Sequence, residues 1–270
     1  MAIDPDFRKK RKKVGKEEGI AIWSPMNPHE KLGIRGTAVG VDWDICSGCG
    51  ICLDVCPRHV YEWRETPGRP TSEKKAFPAR EKDCVQCLKC EEQCPEQAIN
   101  ATFLGPTSPV EQSMTYLLML QILGGIIYGA VCGPYWGLEI LQYLGWAVLA
   151  VGLPFFFAPM LYFPKRGKPP EGKTLMLTTA IVDSGTYGIV RHPQMLGSIF
   201  LLLASIMVSQ HWLAIIIGVL ISVYTCVVWV PEEENDLIVK FGDDYKSYMQ
   251  KVPRMNFLVG LIRWLRRGRK

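Results

Sequence analysis

The sequence predicts an α+β domain in residues 1–108, followed by an all-α polytopic membrane domain of about four transmembrane helices in residues 109–270. Two observations predict this division. A cysteine motif occurs twice in the first part, and long stretches without Asp, Glu, Lys or Arg occur only in the second part. A chain of 270 residues has room for both domains, with a basic N-terminal extension and a basic C-terminal tail.

The first part is organised by the pattern C-x2-C-x2-C-x3-C-P, which begins at Cys46 and recurs 38 residues later at Cys84. A cubane iron–sulfur cluster needs four thiolates around one centre, and in paired runs of this type the fourth cysteine ligates the other cluster. The pattern therefore predicts two 4Fe–4S clusters. The predicted ligands are Cys46, Cys49, Cys52 and Cys94 for the first cluster, and Cys84, Cys87, Cys90 and Cys56 for the second.

Other uses of these cysteines fit the pattern less well. Structural zinc would use two CxxC pairs and would not need the additional Cys-Pro of each copy. A disulfide framework suits small secreted chains, and we recognise no cleavable signal peptide. Because every iron has a cysteine candidate, no iron is left open for a substrate. The clusters are therefore predicted to transfer electrons to or from a redox partner protein rather than to perform radical chemistry.

Short apolar, β-branched or aromatic runs flank the two cysteine motifs, in residues 37–43, 60–63 and 98–103. They predict small antiparallel strands that wrap the two clusters. About 100 residues can build only part of a hydrophobic core, and the clusters are expected to replace the rest.

Residues 1–103 resemble the archaeal zinc-containing ferredoxins. The resemblance is carried by Ile3-Asp-Pro5, by Val39-Gly-Val-Asp42, and by Thr66-Pro-Gly68 followed by Ser72-Glu-Lys-Lys-Ala76. It implies a dicluster ferredoxin fold with electron transfer as the activity.

Two departures from that family change the expected metals. Many of those ferredoxins have an Asp and a three-iron cluster where this chain has Cys49, which favours a full cubane. Their zinc is held by three His and one Asp, and the matching positions here do not form such a site. The residues at those positions are Glu17, Ile20, Arg35 and Phe77. No zinc is therefore expected.

The second part contains three stretches without charged residues, in residues 112–138, 140–164 and 192–231. The first two are each long enough for one membrane helix, and the third is long enough for two short helices with a turn near His211. The predicted helices lie near 116–132, 138–162, 195–209 and 212–230. Four such helices in half of the chain argue against a buried soluble core.

The basic residues predict the topology. All 31 Lys and Arg residues fall in residues 1–114, in the 164–194 segment or in the tail from 231. By the positive-inside rule, both termini, the first domain and the 164–194 loop are predicted to be cytoplasmic in a multi-pass protein of the cell membrane. Iron–sulfur clusters are assembled in the reducing cytosol, so the first domain is expected on the cytoplasmic side for this reason as well. The net charge of +5 is thus explained by contact with the lipid bilayer, and no nucleic acid partner is expected.

Two polar segments adjoin the cytoplasmic ends of the last two predicted helices. Gly185 begins the pattern G-x-Y-x-x-x-R-H-P, and Glu233 begins the pattern E-E-x-x-L-x-x-x-F-G-x-x-Y-x-x-Y. Ordinary interfacial polarity is one interpretation, with His192 at the membrane surface and the acids capping an amphipathic helix. Alternatively, adjacent carboxylates beside Arg and His can bind the amino group and the carboxylate of a zwitterionic ligand.

Together these patterns, in residues of about 180–254, resemble the isoprenylcysteine carboxyl methyltransferase and phospholipid methyltransferase group. The resemblance implies that S-adenosylmethionine binds at the cytosolic face and that a lipid, quinone or prenylated acceptor enters from the bilayer. The implied cofactor-binding residues are Tyr187, Arg191, His192, Pro193, Glu233 and Glu234, with Arg191 and Glu233 as catalytic candidates. One departure is Met195, where the group usually has Tyr.

Three functions are compatible with these two halves. The first is a membrane methyltransferase with a fused electron carrier. Methyl transfer consumes no electrons, so the acceptor would be reduced before methylation, as when a quinone becomes a hydroquinone. The second is a ferredoxin electron carrier that is tethered to the membrane by a degenerate, non-catalytic methyltransferase domain. The third is redox sensing, in which the clusters regulate the helices.

Overall fold

The computed structural model describes residues 2–24, 32–68, 72–102, 109–170, 173 and 177–267. The chain divides into two compact units, one of residues 1–105 with 170–177 and one of residues 106–169 with 178–270. The division lies close to the predicted boundary between residues 108 and 109. No sequence pattern indicated that residues 170–177 group with the first unit.

The first unit contains a five-stranded antiparallel sheet of order β1-β2-β3-β4-β7 and a separate hairpin of β5 and β6. The strands are β1 Lys13–Glu17, β2 Ile20–Trp23, β3 Ile34–Arg35, β4 Val39–Asp42, β5 Glu62–Glu65, β6 Lys74–Phe77 and β7 Ile99–Ala101. The short helices are α1 Phe7–Lys10, α2 Ile51–Val55 and α3 Lys89–Glu92. Each predicted run contains or overlaps a strand, namely β4, β5 and β7, and residue 103 lies outside the described residues.

The core of the first unit combines apolar side chains with cysteines. All four residues of β4 are buried, because this strand lies between β3 and β7. Val39, Val41 and Phe77 pack in one cluster with four buried cysteines, and two further cysteines pack against that cluster. The cysteine sulfurs therefore occupy space that aliphatic side chains fill in an ordinary core.

Hydrogen bonds and an ion pair hold the basic N-terminal extension against the five-stranded sheet. Arg8 donates from Nε to the carbonyl oxygen of Thr37 at 2.6 Å and from Nη1 to Oδ1 of Asn100 at 2.7 Å. Arg11 forms an ion pair with Asp42 at 3.3 Å, and both side chains are largely buried. These residues thus hold the start of the chain against β4 and β7.

Lys173 and Leu177 pack on the first unit although they follow a helix of the second unit in sequence. Lys173 donates from Nζ to the Ala101 carbonyl oxygen at 2.7 Å and forms an ion pair with Glu91 at 2.9 Å. Leu177 is fully buried against Leu88 and Ala101. Leu88 belongs to the second cysteine motif, so Leu177 contacts the loop of that motif.

The second unit is helical. Its helices are α4 Pro109–Val131, α5 Glu139–Arg166, α6 Pro193–Ser209, α7 Trp212–Tyr224, α8 Val230–Phe241, α9 Asp243–Lys251 and α10 Phe257–Arg267. A π-helical turn, Thr225–Trp229, joins α7 to α8, and a 3-10 turn, Gly185–Gly188, precedes α6.

Three helices in the described part of the chain are long and apolar enough to cross a membrane, at Gln112–Val131, Glu139–Tyr162 and Trp212–Phe241. They carry large exposed apolar side chains, among them Leu120 and Ile140, as lipid contact requires. The helix predicted at 195–209 is α6, an apolar helix of 17 residues in all. It is shorter than the roughly 20 residues that a typical span has, so three spans are shown and the expected fourth stays a prediction.

The last apolar helix continues beyond its predicted end at residue 230, as far as Phe241. The sequence predicted an end there because the stretch without charged residues ends before Glu232. The π-helical turn ends two residues before Pro231, which lacks an N–H, and changes the hydrogen-bond spacing in this region. The helix therefore carries Glu233 and Glu234 on its continuation.

Glycines set the spacing between α6 and its neighbours α4 and α5. A Cβ atom at Gly125 would overlap Ser205, and one at Gly129 would overlap the backbone of Val208. Small residues four positions apart let membrane helices approach closely, and packing then supplies the association energy.

Gly129→Ala should destabilise the second unit by about 1–3 kcal/mol, because the added methyl group meets the backbone of α6. Gly124→Ala is the matched control in the same helix. A Cβ atom there meets nothing within 4 Å, and alanine has the higher helix propensity. The measurement is thermal unfolding in detergent. Equal midpoints for the two variants would contradict the proposed packing role.

Candidate functional site

The two cysteine loops have the same backbone conformation. Gly48 and Gly50 have φ of 72° and 88°, and the residues 38 positions later, Gln86 and Leu88, have φ of 55° and 62°. Left-handed φ is unfavourable for Gln and Leu, so the loop shape itself must be required in the second copy. In each copy, the first three cysteines of the loop line one cavity.

Each set of four predicted ligands surrounds one cavity. Cys94 lines one cavity with the first three cysteines of the first motif, Cys46, Cys49 and Cys52. Cys56 lines a second cavity with the first three cysteines of the second motif, Cys84, Cys87 and Cys90. The fourth cysteine of each copy thus lies at the other copy's cavity.

The chemistry of these cavities fits an iron–sulfur cluster. Among the described residues, no three His, Cys, Asp or Glu side chains converge closely enough to hold a single metal ion. The cysteine sulfurs of each set instead line a cavity. Burial, and then the neighbouring thiols, raise the pKa of Cys52 to about 12, so its thiolate needs a positive partner. Iron in each cavity would supply that partner, and the cysteines would hold it.

Backbone donors also point at the sulfurs. The N–H groups of Val60 and Ala98 donate to Sγ of Cys56 and of Cys94, at 3.4 and 3.3 Å. The N–H of Gln86 donates to Sγ of Cys84 at 3.4 Å. Such donors stabilise thiolate ligands and influence the reduction potential of a cluster.

The four positions that match the zinc ligands of the archaeal ferredoxins have other roles here. Glu17 and Arg35 form an ion pair at 3.3 Å. Ile20 and Phe77 are buried in the apolar core. The absence of zinc stays a prediction.

In the second unit, four of the predicted cofactor-site residues converge. His192 is almost fully buried, with Nδ1 at 3.2 Å from Oε2 of Glu233 and Nε2 at 3.3 Å from Oε1 of Glu234. Arg191 Nη2 lies 2.6 Å from Oε1 of Glu234. Arg254 also pairs with Glu234. These residues form one charged network.

Backbone contacts position this network. The N–H of Arg191 donates to the carbonyl oxygens of Pro253 and Arg254, and its Nη1 donates to the carbonyl oxygen of Met249 at 3.0 Å. The π-helical turn before α8 places Glu233 and Glu234 opposite the residue before α6, His192. The segment before α6, the helix α8 and the segment after α9 thus meet at one point.

The two glutamates differ in their surroundings. Glu234 is buried and pairs with Arg191, His192 and Arg254. The side chain of Glu233 is 43% exposed and pairs with His192. Glu233 is therefore the carboxylate that remains accessible to a ligand, whereas Glu234 holds the network together.

The remaining predicted residues lie at the edge of the network. Pro193 is the first residue of α6. Tyr187 accepts a hydrogen bond at its backbone oxygen from the hydroxyl of Tyr248 at 2.7 Å. Burial, and then the nearby Glu233, raise the pKa of Tyr187 above its ordinary value.

Sequence reasoning assigned no role to Arg254 or Tyr248, which both contact this site. Tyr248 closes the second matched pattern, and Arg254 follows it by six residues, so the extent of the resemblance was the available signal. Three further polar atoms here are buried without a hydrogen-bond partner among the described residues. They are Oγ1 of Thr186, Nε of Arg191 and the hydroxyl of Tyr245. These atoms can bind polar groups of a ligand.

Comparison with known proteins supports the reading of the first unit. The family described as 4Fe-4S dicluster domain matches residues 45–98. The chain is 44% identical over 89 residues to the zinc-containing ferredoxin of Thermoplasma acidophilum, which covers 27% of this chain and 62% of that protein. It is 44% identical over 53 residues to Ferredoxin B of Sulfuracidifex metallicus, which covers 20% of this chain and 98% of that protein.

A relative of another kind is the Delta(14)-sterol reductase of Dictyostelium discoideum. It is 33% identical over 104 residues, which is 37% of this chain and 21% of that protein. This chain therefore spans less than two thirds of the Thermoplasma and Dictyostelium relatives.

Iron content tests the crossed pairing. The anaerobically purified chain should hold about eight irons, in two four-iron clusters. Cys56→Ala combined with Cys84→Ala should leave about four, because both residues line the second cavity. Cys56→Ala combined with Cys46→Ala should affect both clusters. Cys132→Ala, outside the motifs, is the control. Equal iron loss in the two double variants would contradict crossed pairing.

Stability of the second unit should depend on the charge of His192. Burial disfavours the charged ring, but hydrogen bonds to Glu233 and Glu234 outweigh burial and raise its pKa. This contribution is fully present below the unfolded pKa of about 6.5 and is lost as pH rises through the folded pKa.

The midpoint of thermal unfolding in detergent should therefore fall as pH rises from about 6.5 into the alkaline range. His192→Gln should be less stable at the acidic end and should show a weaker pH dependence. The same slope in parent and variant would show that His192 is not the group responsible.

Proposed function

The chain belongs to the ferredoxin family through its cluster-binding half, and from that premise we propose that it passes electrons through two 4Fe–4S clusters at a membrane. We further propose that its membrane half methylates a lipid or isoprenoid acceptor with S-adenosylmethionine. The two four-cysteine cavities support the first statement. The convergence of Arg191, His192, Glu233 and Glu234 is the observation that carries the second.

Electron transfer requires a redox partner protein and a fixed place at the bilayer. The membrane-capable helices supply the attachment. The distribution of Lys and Arg supports a topology in which the clusters and both termini face the cytoplasm. Reduced partners in the cytosol would then reach the clusters directly.

The proposed cofactor site suits a zwitterion. S-adenosylmethionine carries an amino group and a carboxylate and supplies an electrophilic methyl group on sulfur. Glu233 is the accessible anion for the amino group, and Nε of Arg191 and the hydroxyl of Tyr245 are unpaired donors for the carboxylate. Both terminal nitrogens of Arg191 bind within the protein, so it would orient ligands through Nε. Methyl transfer needs alignment of two reactants and little covalent work from the protein.

A second candidate function is the reduction of a carbon–carbon double bond in an unsaturated lipid. The similarity to a protein named as a sterol reductase favours it. Reduction consumes two electrons and two protons, breaks the π bond and forms two C–H bonds, and each cluster can deliver one electron. His192, which two carboxylates favour in its charged form, is the proton donor nearest to the accessible Glu233. Reduction of the lipid would explain why an electron carrier is joined to a membrane domain. It would not require an acceptor that is reduced before methylation.

One experiment separates these functions. The purified chain is incubated with membrane lipid extract and labelled S-adenosylmethionine, with and without a chemical reductant, and lipids are analysed by mass spectrometry. Incorporated methyl label that is lost in Glu233→Gln supports methyl transfer. Products that are heavier by two hydrogens, formed only with reductant, support reduction. Electron transfer without either product supports the tethered electron carrier.

Matched variants test the coupling of the halves. Glu232→Gln is the control for Glu233→Gln, because Glu232 is the exposed neighbouring carboxylate. Cys84→Ala should abolish methylation of an oxidised acceptor and spare an acceptor that was reduced beforehand. Equal methylation with and without reductant, unaffected by Cys84→Ala, would contradict the idea that the clusters reduce the acceptor before it is methylated.

A further inference from the structure

Because the cysteine motif is repeated, each residue of one cluster site has an equivalent in the other, 38 positions away. Each fourth cysteine is followed, four residues later, by a backbone N–H that donates to its sulfur, from Val60 in one copy and from Ala98 in the other. The distances are 3.4 and 3.3 Å. The residues that precede them, His59 and Gln97, share a left-handed φ of 49° and 50°. In their backbone, the two sites are therefore nearly equivalent.

One side chain breaks this equivalence. The position after the donating N–H is Tyr61 in the first copy and Ile99 in the second copy, 38 residues apart. Each side chain is 4% exposed. Tyr61 lines the cavity of the second cluster, and Ile99 lines the cavity of the first. One cavity thus receives a hydroxyl group where the other receives a methyl group.

The hydroxyl of Tyr61 is buried beside the sulfur of Cys90, the acceptor with which it interacts, and it has no other hydrogen-bond partner among the residues that the structure describes. A buried hydroxyl is unfavourable unless an acceptor satisfies it. Among the side chains that line this cavity, the acceptors are the four cysteine sulfurs.

From this geometry we infer that Tyr61 donates a hydrogen bond to sulfur of the second cluster and makes that cluster easier to reduce than an apolar residue would. This inference rests on the proposed two-cluster electron carrier. The reduced cluster carries one more negative charge than the oxidised one, so a donor stabilises the reduced form more. Hydrogen bonds to the sulfurs are among the determinants of cluster potential. Ile99 offers the first cluster no such donor.

Lys75 lies at the site of the first cluster. It is fully buried and donates from Nζ to the carbonyl oxygen of Cys46, in the loop of the first cluster. Its influence falls on the first cluster and is the same in every variant at position 61. The effect of Tyr61 is therefore measured on each cluster against its own value in the parent chain.

The test is a redox titration of the full chain in detergent, with each cluster monitored by electron paramagnetic resonance. Tyr61→Phe keeps the ring and removes the hydroxyl. The reduction equilibrium of one cluster should fall by about tenfold, which is about 59 mV for one electron. The other cluster should not change. Ile99→Val, which alters packing at the equivalent position without changing donors, should leave both potentials in place.

A second measurement does not depend on the variant's folding. In the parent chain exchanged into heavy water, the reduced second cluster should show hyperfine coupling to an exchangeable deuteron beyond that of its backbone donors. Tyr61→Phe should lose this coupling. Unchanged potentials in a variant that retains about eight irons would overturn the inference, as would absence of the coupling in the parent. A parent chain without two clusters would instead overturn the proposed function.

Discussion

A thiolate buried away from water needs a positive partner, and the first unit depends on that requirement. Four cysteines lie inside its main core and two more pack against it. Burial raises the pKa of Cys90, as it does for Cys52, so these groups resist becoming thiolates alone. Iron removes this cost and crosslinks two loops that lie far apart in sequence. Folding of the unit and assembly of its clusters are therefore coupled.

The same constraint applies to charges in the second unit. A buried carboxylate persists when cations and hydrogen bonds satisfy its oxygens. Glu234 meets this condition through Arg191, His192 and Arg254, which come from before α6 and after α9. One buried charge thus fixes the relative positions of three segments. Glu233, one residue earlier, pairs with His192 at the edge of the network, and its side chain stays 43% exposed.

Both halves use a repeated or regular backbone to present side chains that differ. The two cluster loops share their left-handed residues and their N–H donors, yet they present Tyr61 at one cavity and Ile99 at the other. In α8, a regular helix presents two adjacent glutamates to two different environments. In each case the shared geometry holds the site, and one side chain gives it a distinct property.

The sequence alone determined the features that depend on spacing along the chain. The cysteine intervals were sufficient to predict two four-cysteine sets with crossed fourth members, because covalent spacing limits which sulfurs can meet. Charge-free length was sufficient to predict the long apolar helices, because bilayer thickness sets the length that they need.

Only the tertiary structure decided which groups meet across distant segments. It distinguished Glu233 from Glu234, added Arg254 to the network, and placed Leu177 against the loop that contains Leu88. It also continued the last apolar helix beyond the stretch without charged residues, through a π-helical turn and as far as Phe241. Such outcomes depend on packing between elements, because the local sequence around a residue does not determine which distant side chain it contacts.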